Sequence, residues 1–523
     1  MRQFGESPAR RLFRYRTRSA LAALAAMASM FAANAAAPLM VAKNPIKDSA
    51  GNTRIIVDFV DQAQSRYTLA EGYIFNPKTD RHHPQVLLLV EDYEKRLGFK
   101  RELMTSWVGA SVTAFLAPQQ IEQLRADPNV RLLTEDRVVQ FSSPPWTPCW
   151  NGWPWGELND WGRVAVNGKT LLPGSQRKVF IIDSGVAFHD DLASVSQRVN
   201  VQGTPYEVGC YAHATHVAGI VGATFANSQN RAGIYAGVNM VSVTGGRASG
   251  SNTCLAYGSM TAADVGDAID SVRYSITAWF SLNPQVQIAT MSMNAETGLG
   301  FSPTGVAQTN RTKLERLVTP AWDFSWYWNP GAFFVQSAGN QNSDACSLNV
   351  LNGSPAYKTS AYATSTSSDD GIMVVGAINS DGDAVSGNYG PFANARPTMG
   401  LYGEVGSNYG PCVDIWAPGN DIYSTWGSGL FNTTSQNAPG YSGGQPSNYV
   451  PSTSEDWQSY PGWAWLSGTS MAAPHVAAAA AYMADKYGLT SPAAIEAAVR
   501  QHWADYGKLD PLNQSIKVVY LPD

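Results

Sequence analysis

Ser470 lies in Gly468-Thr469-Ser470-Met471-Ala472-Ala473-Pro474-His475, where a small-residue turn runs straight into an alanine-rich helical pattern. A hydroxyl at a helix N-terminus sits among unpaired backbone N–H groups and the positive end of the macrodipole. Both favour developing negative charge. Serine is also a common N-cap, so this segment alone does not separate a nucleophile from a cap. A nucleophilic serine needs a base, a group to orient the base, and donors for an oxyanion. Three other segments supply residues of those types. Asp183 follows the apolar run Val179-Phe180-Ile181-Ile182. His213 opens His213-Ala214-Thr215-His216-Val217-Ala218-Gly219. Asn340 ends Gln336-Ser337-Ala338-Gly339-Asn340, just past Phe333-Phe334-Val335. The pair His213/His216 lacks the glutamate of a His-Glu-x-x-His zinc site.

The elements that must position these residues form two regions. Charged side chains are dense in 51–141 and sparse beyond. In the first region, Arg54–Val60, Gln85–Val90, Val108–Leu116 and Val130–Phe141 read as strands, and Pro118–Ala126 reads as a helix with proline at its start. This predicts a small α+β domain. Ser142-Ser143-Pro144-Pro145 reads as a linker. Beyond it, apolar strands at Val179–Ile182, Met240–Val243, Val286–Met291, Phe333–Val335, Met373–Val375 and Val413–Trp416 alternate with helical patterns. Those patterns cover His213–Ala223, Met260–Trp279, Met471–Lys486 and Pro492–Trp503. Short buried strands separated by helices predict an α/β fold, a doubly wound and mostly parallel sheet with helices on both faces. Ligand sites in such folds lie at the carboxyl ends of the strands, where Asp183 and Asn340 fall.

The N-terminus reads as an export signal over 1–37. It has a basic segment with Arg10, Arg11, Arg14, Arg16 and Arg18, an apolar stretch Ala20–Ala33, and small-residue cleavage patterns at Ala33-Asn34-Ala35 and Ala35-Ala36-Ala37. Export implies a disulfide-permitting compartment for Cys149, Cys210, Cys254, Cys346 and Cys412. Disulfides favour the general secretory route over a folded-export route. The net charge of −5 gives no case for nucleic acid or an anionic membrane surface. Gly440-Tyr441-Ser442-Gly443-Gly444 matches a Gly-x-Ser-x-Gly elbow, but no apolar strand precedes it.

Together the four segments around Asp183, His213, Asn340 and Ser470 resemble the signatures of the subtilisin-like serine proteases, in the chain order Asp, His, Ser. The resemblance implies that Asp183 orients the imidazole and His213 is the general base. Ser470 is then the nucleophile, and Asn340 forms the oxyanion hole with the Ser470 N–H. His216 becomes a structural histidine. Substrate backbone would run along Ser292, Met293, Asn294 and Gly339. Here Met291-Ser292-Met293-Asn294 replaces the family's Ser-Leu-Gly-Gly run, and Ala214 replaces its glycine after the histidine. The 51–141 region is similar to the family's inhibitory propeptides, through Gln119–Leu124, Asp127-Pro128-Asn129-Val130 and Asp136-Arg137-Val138-Val139, which implies a propeptide over 38–141. Such a propeptide assists folding and leaves its C-terminal tail in the cleft.

The resemblance therefore implies a catalytic domain over 142–523 in a secreted, monomeric endopeptidase made as a zymogen. Its partners would be protein or peptide substrates and its own propeptide, with no nucleic acid and no membrane. The cysteine positions resemble the proteinase K and aqualysin branch, which implies bonds Cys210–Cys254 and Cys346–Cys412 with Cys149 left over. Asp414 resembles a calcium ligand of that branch, so a structural calcium is an expectation, while the chemistry requires no cofactor. The extra residues near 295–330, 350–370 and 420–465 read as loops around the cleft or surface.

Overall fold

A computed structural model describes residues 36–42, 45–71, 73, 75–76, 80–136, 138–141, 160–202, 212–227, 231–245, 260–277, 285–294, 312–323, 327–340, 342, 344–345, 369–385, 406–426, 450–451 and 462–523. The first unit contains β1 (Leu39–Met40), β2 (Thr53–Phe59), α1 (Pro84–Leu97), β3 (Arg101–Thr105), β4 (Ser111–Leu116), α2 (Pro118–Arg125), β5 (Val130–Glu135) and β6 (Val138–Phe141). Five of these strands form one sheet in the order β1-β5-β2-β4-β3. Ile55, Val57 and Phe59 of β2 face Leu89, Val90 and Tyr93 of α1 and Leu124 of α2. Ala37 packs in this same core and donates its N–H to Arg125 O.

Two expectations for this unit are corrected. Gln85–Val90 is not a strand but part of α1. Its continuous apolar run is ambiguous between the two states. Burial of Val86, Leu89, Val90 and Tyr93 has the helical spacing, Pro84 opens the helix and Gly98 closes it at φ +73°. The single strand expected over Val130–Phe141 is two, divided at Asp136. That buried carboxylate pairs with Arg54 and accepts the Ala263 N–H.

The second unit carries β7 (Lys178–Ile182), β8 (Val195–Asn200), α3 (Ala212–Gly222), β9 (Asn239–Thr244), β10 (Met260–Thr261), α4 (Ala262–Ile276), β11 (Gln287–Met291) and β12 (Met293–Asn294). It continues with β13 (Ala332–Ser337), β14 (Ile372–Ile378), β15 (Ile415–Pro418), β16 (Ile422–Trp426), β17 (Gly462–Leu466), α5 (Thr469–Lys486), α6 (Pro492–Gln501), β18 (Trp503–Leu509) and β19 (Ser515–Val519). Nine strands form the central sheet, in the order β18-β19-β15-β14-β13-β11-β7-β9-β8. All its pairings are parallel except the terminal β18–β19 hairpin. This is the expected α/β fold. Val179, Ile181, Ile288, Phe333 and Val335 face α3 and α5. Phe180, Ile182, Ala289, Met291 and Phe334 alternate with them and face α4. The strand order reverses beside β7, so the crevice for a ligand opens at the carboxyl ends of β7 and its neighbours.

The first unit rests on α4. Ile56, Leu103 and Val108 join the α4-side core, and Asp270 accepts the N–H groups of Ser106, Trp107 and Val108 through Oδ1. Met260 and Thr261, expected to begin the α4 helix, form β10 instead, and Trp503, expected in α6, begins β18.

Candidate active site

Asp183 leaves the end of β7 and donates its N–H to Val243 O at 3.2 Å, which carries the β7–β9 ladder one residue further. Its carboxylate is fully buried. Oδ1 accepts the Ser184 N–H at 2.6 Å, and the two oxygens lie 2.8 and 3.0 Å from His213 Nδ1. An ionised carboxylate only accepts, so Nδ1 carries the proton and Nε2 is left as the basic nitrogen. His213 stands in the first turn of α3, where backbone N–H groups lack helical partners. Ser184 Oγ fills one of those vacancies by accepting the Ala214 N–H at 3.2 Å. The Asp183-Ser184 turn thus binds both the imidazole and the backbone that carries it. Ala214 is fully buried in the α3–α5 core.

Gly468 precedes α5 at φ +148°, a region that L side chains rarely enter. Thr469 and Ser470 then open an 18-residue helix. Ser470 donates its hydroxyl to Ser292 O at 3.0 Å, and Ser292 Oγ donates to Ser470 O at 3.0 Å. Asn340 lies just beyond β13. Its Oδ1 accepts from both the N–H and the hydroxyl of Thr469, each at 2.9 Å. Thr469 Oγ1 in turn accepts the Gly339 N–H at 3.0 Å. With its oxygen held by two donors, the Asn340 amide offers its NH2 group as the donor end. Sequence reasoning does not single out Thr469. Its only signal is its place beside Ser470.

Ser292, Met293 and Asn294 meet another part of the chain. β6 runs antiparallel to β12, with Phe141 opposite Met293 and Gln140 opposite Asn294. On its other side β6 runs antiparallel to β10, with Val139 opposite Met260. The segment Val138–Phe141 is therefore the middle strand of three. Its last residue ends beside Ser292, whose carbonyl receives the Ser470 hydroxyl.

His216 is turned away from this chemistry, with Nε2 3.0 Å from Ile422 O. Ser424 and Thr425 of β16 donate to the carbonyls of His216 and Thr215. The strand crosses α3 at Gly219, where a β-carbon would lie 2.2 Å from Ser424 Oγ. Part of the 420–465 insertion is thus a strand packed on the histidine helix, rather than a loop. The calcium expectation at Asp414 does not fit its surroundings. One oxygen is 2.8 Å from Arg500 Nη2, and the other accepts the Val374 N–H at 2.8 Å. Burial, opposed by Arg500, pushes this carboxyl up to about 6. A divalent cation would have to displace the guanidinium. No group of three or more candidate metal ligands exists among the described residues. Cys412 is disulfide-bonded. Cys149, Cys210, Cys254 and Cys346 lie outside the described residues, as do the Ser442 motif and the linker at 142–145.

His475, one turn below Ser470, is fully buried. Its Nδ1 donates to Met471 O at 2.7 Å, and Nε2 has no hydrogen-bond partner among the described residues. Burial, reinforced by nearby Arg231, pushes it down from 6.5 to about 4. The folded chain resists a proton that the unfolded chain accepts. Stability from this residue is complete above pH 6.5 and is lost as pH falls toward 4, by about 3 kcal/mol in all. Thermal melts against pH, in a Ser470→Ala background to prevent self-digestion, will show a shallower acid loss for His475→Met than for its parent.

The subtilase family model (Peptidase S8) matches residues 174–514. The chain is 25% identical to the cuticle-degrading protease of Metarhizium anisopliae over 84% of its own length and 85% of that protein. It is 26% identical to the alkaline serine exoprotease A of Vibrio alginolyticus, over 78% of this chain and 58% of that one. Among solved structures it is similar in fold to fervidolysin from Fervidobacterium pennivorans, described as a keratinolytic enzyme related to subtilisin. That match has a TM-score of 0.50 at 16% identity, over 93% of this chain and 62% of the other. No helix among the described residues is long and apolar enough to cross a membrane.

Proposed function

The chain belongs to the subtilase family of serine proteases, and from that footing we propose that it is a secreted endopeptidase made as a self-processing zymogen. Ser470 attacks the peptide carbonyl. Its proton passes to His213 Nε2, for which the hydroxyl must turn from Ser292 O, its partner at 3.0 Å. Asp183, 2.8 Å from Nδ1, holds the imidazole in the accepting tautomer and stabilises the imidazolium that forms. The tetrahedral oxyanion lies between the Asn340 amide and the Ser470 N–H, at the positive end of α5. His213 then gives its proton to the leaving amine, and water releases the acyl group from Ser470.

The observation that carries this reading is the seat of Val138–Phe141. An extended stretch of backbone is paired on both sides, as a peptide substrate added to two strand edges would be, and Phe141 lies opposite Met293, next to the Ser292 carbonyl that receives the Ser470 hydroxyl. The same seat supports the 38–141 region as an intramolecular inhibitor and the bond after Phe141 as the processing site. A fluorophosphonate probe tests the assignment. Labelling of Ser470 supports it, and labelling of Ser442 or of no serine overturns it. N-terminal sequencing of the processed chain will read from Ser142.

Asn340→Leu is expected to lower kcat by about 10²–10³ with KM nearly unchanged, the magnitude established for the corresponding donor in subtilisin. Steady-state kinetics on a peptide substrate check it, and a loss below tenfold removes Asn340 from the oxyanion hole. For the cysteines we keep the pairing Cys346–Cys412 and Cys210–Cys254, which non-reducing peptide mapping will test. Each bond would add about 3–4 kcal/mol in the chain-entropy model.

A further inference from the structure

We propose that Ser292 is a positioning residue for the nucleophile, its hydroxyl standing in for a helix N–H that Pro474 cannot supply. The inference rests on the reading of Ser470 as nucleophile. In a regular α-helix the carbonyl of residue i is bonded by the N–H of residue i+4. For Ser470 that residue is Pro474, which lies inside α5 and has no N–H. Ser470 and Pro474 are both buried, so bulk water does not replace the missing donor, and a buried carbonyl left without one is unfavourable.

Ser292 fills the gap. It follows β11 directly, is 1% exposed, and directs Oγ at Ser470 O at 3.0 Å. Its own carbonyl takes the Ser470 hydroxyl at the same distance. One residue therefore grips the nucleophile twice, once through its main chain and once through its side chain. The neighbouring Thr469 is gripped from the other side by Asn340, beyond β13. β11 and β13 are adjacent parallel strands. The first turn of α5 is thus slung between two strand ends, and the position of Ser470 Oγ is set by strands rather than by the helix alone. The proline frees the carbonyl for this cross-link, and Ser292 makes it.

The test is a cycle of Ser292→Ala, Pro474→Ala and the double variant in the full chain. It reads the rate of fluorophosphonate labelling at Ser470 together with kcat and KM on a peptide. Ser292→Ala is expected to lower labelling and kcat by roughly tenfold, the scale of one buried hydrogen bond, with KM little changed. The double variant recovers most of that loss, because an alanine in place of Pro474 brings back the N–H at i+4. Labelling of Ser292→Ala at the parental rate overturns the proposal. So does a loss that the double variant does not recover, or a change confined to KM, which belongs to a substrate-binding role alone. If Ser292→Ala yields no folded protein, a folded and labelled double variant supports the proposal and an unfolded one overturns it. Absence of Ser470 labelling in the parent chain is a different result, since it refutes the protease reading itself.

Discussion

Ser470→Ala will abolish hydrolysis and leave the chain in one piece. The expected loss is roughly 10⁶ in kcat, the scale measured for removal of the nucleophile in subtilisin itself. The substitution is mild for the fold. Alanine is the best helix former, and the position opens an 18-residue helix already rich in it. The hydrogen bond from the Ser470 hydroxyl to Ser292 O is lost, at a cost of about 1 kcal/mol. The bond from Ser292 Oγ is accepted by the main-chain carbonyl of residue 470, which the substitution leaves in place, and it persists. With the fold kept and the nucleophile gone, Val138–Phe141 stays covalently joined and seated between β10 and β12. A denaturing gel and intact mass of the purified variant will show a single chain that still carries residues 38–141. The parental protein will show the processed form. Normal processing of the variant would mean that another protease makes the cut, and it would end the case for self-maturation.

The four segments that bear Asp183, His213, Asn340 and Ser470 are legible because each breaks a strong local pattern. An apolar strand or a small-residue helix ends or begins at a polar residue. The doubly wound sheet is legible for a related reason. Strands buried on both faces carry unbroken apolar runs, such as Val179–Ile182 in Lys178–Ile182 and Ala332–Val335 in Ala332–Ser337. Val195–Asn200 does not read as a strand, because it is an edge strand whose polar residues Ser196, Gln197 and Arg198 point to solvent or bind loop carbonyls. The start of α1 reads as a strand because five consecutive apolar residues carry no period, and only burial chooses among them. The cross-links of the site are out of reach for another reason. Ser184 to Ala214, Ser292 to Ser470 and Asn340 to Thr469 join residues 30, 178 and 129 apart in sequence. No local pattern encodes such pairings. The Asp414 expectation rests on resemblance alone and takes no account of Arg500, 86 residues away.

Asp183→Asn will separate a catalytic carboxylate from a turn residue. Asparagine has the same shape, and its oxygen can still accept the Ser184 N–H that Oδ1 accepts at 2.6 Å. The turn and the cap on Ala214 therefore survive, and the melting temperature is expected to change little. The contact with His213 reverses its polarity. The amide nitrogen is a donor, so the ring atom opposite it must become an acceptor. Nδ1 loses its proton to that demand, and Nε2 takes one up. The imidazole then presents a donor where Ser470 needs a base, and no carboxylate remains to stabilise the imidazolium. The expected loss is about 10⁴ in kcat, the scale of the same substitution in the chymotrypsin triad. KM should hold, because Asp183 is fully buried and contacts His213, while the backbone that pairs with β6 is Met293–Asn294 and not the Asp183 turn. A structural aspartate predicts the opposite, since asparagine keeps the turn and would keep the rate. Steady-state kinetics paired with thermal melts decide the matter, and a variant within tenfold of the parental kcat would remove Asp183 from the mechanism.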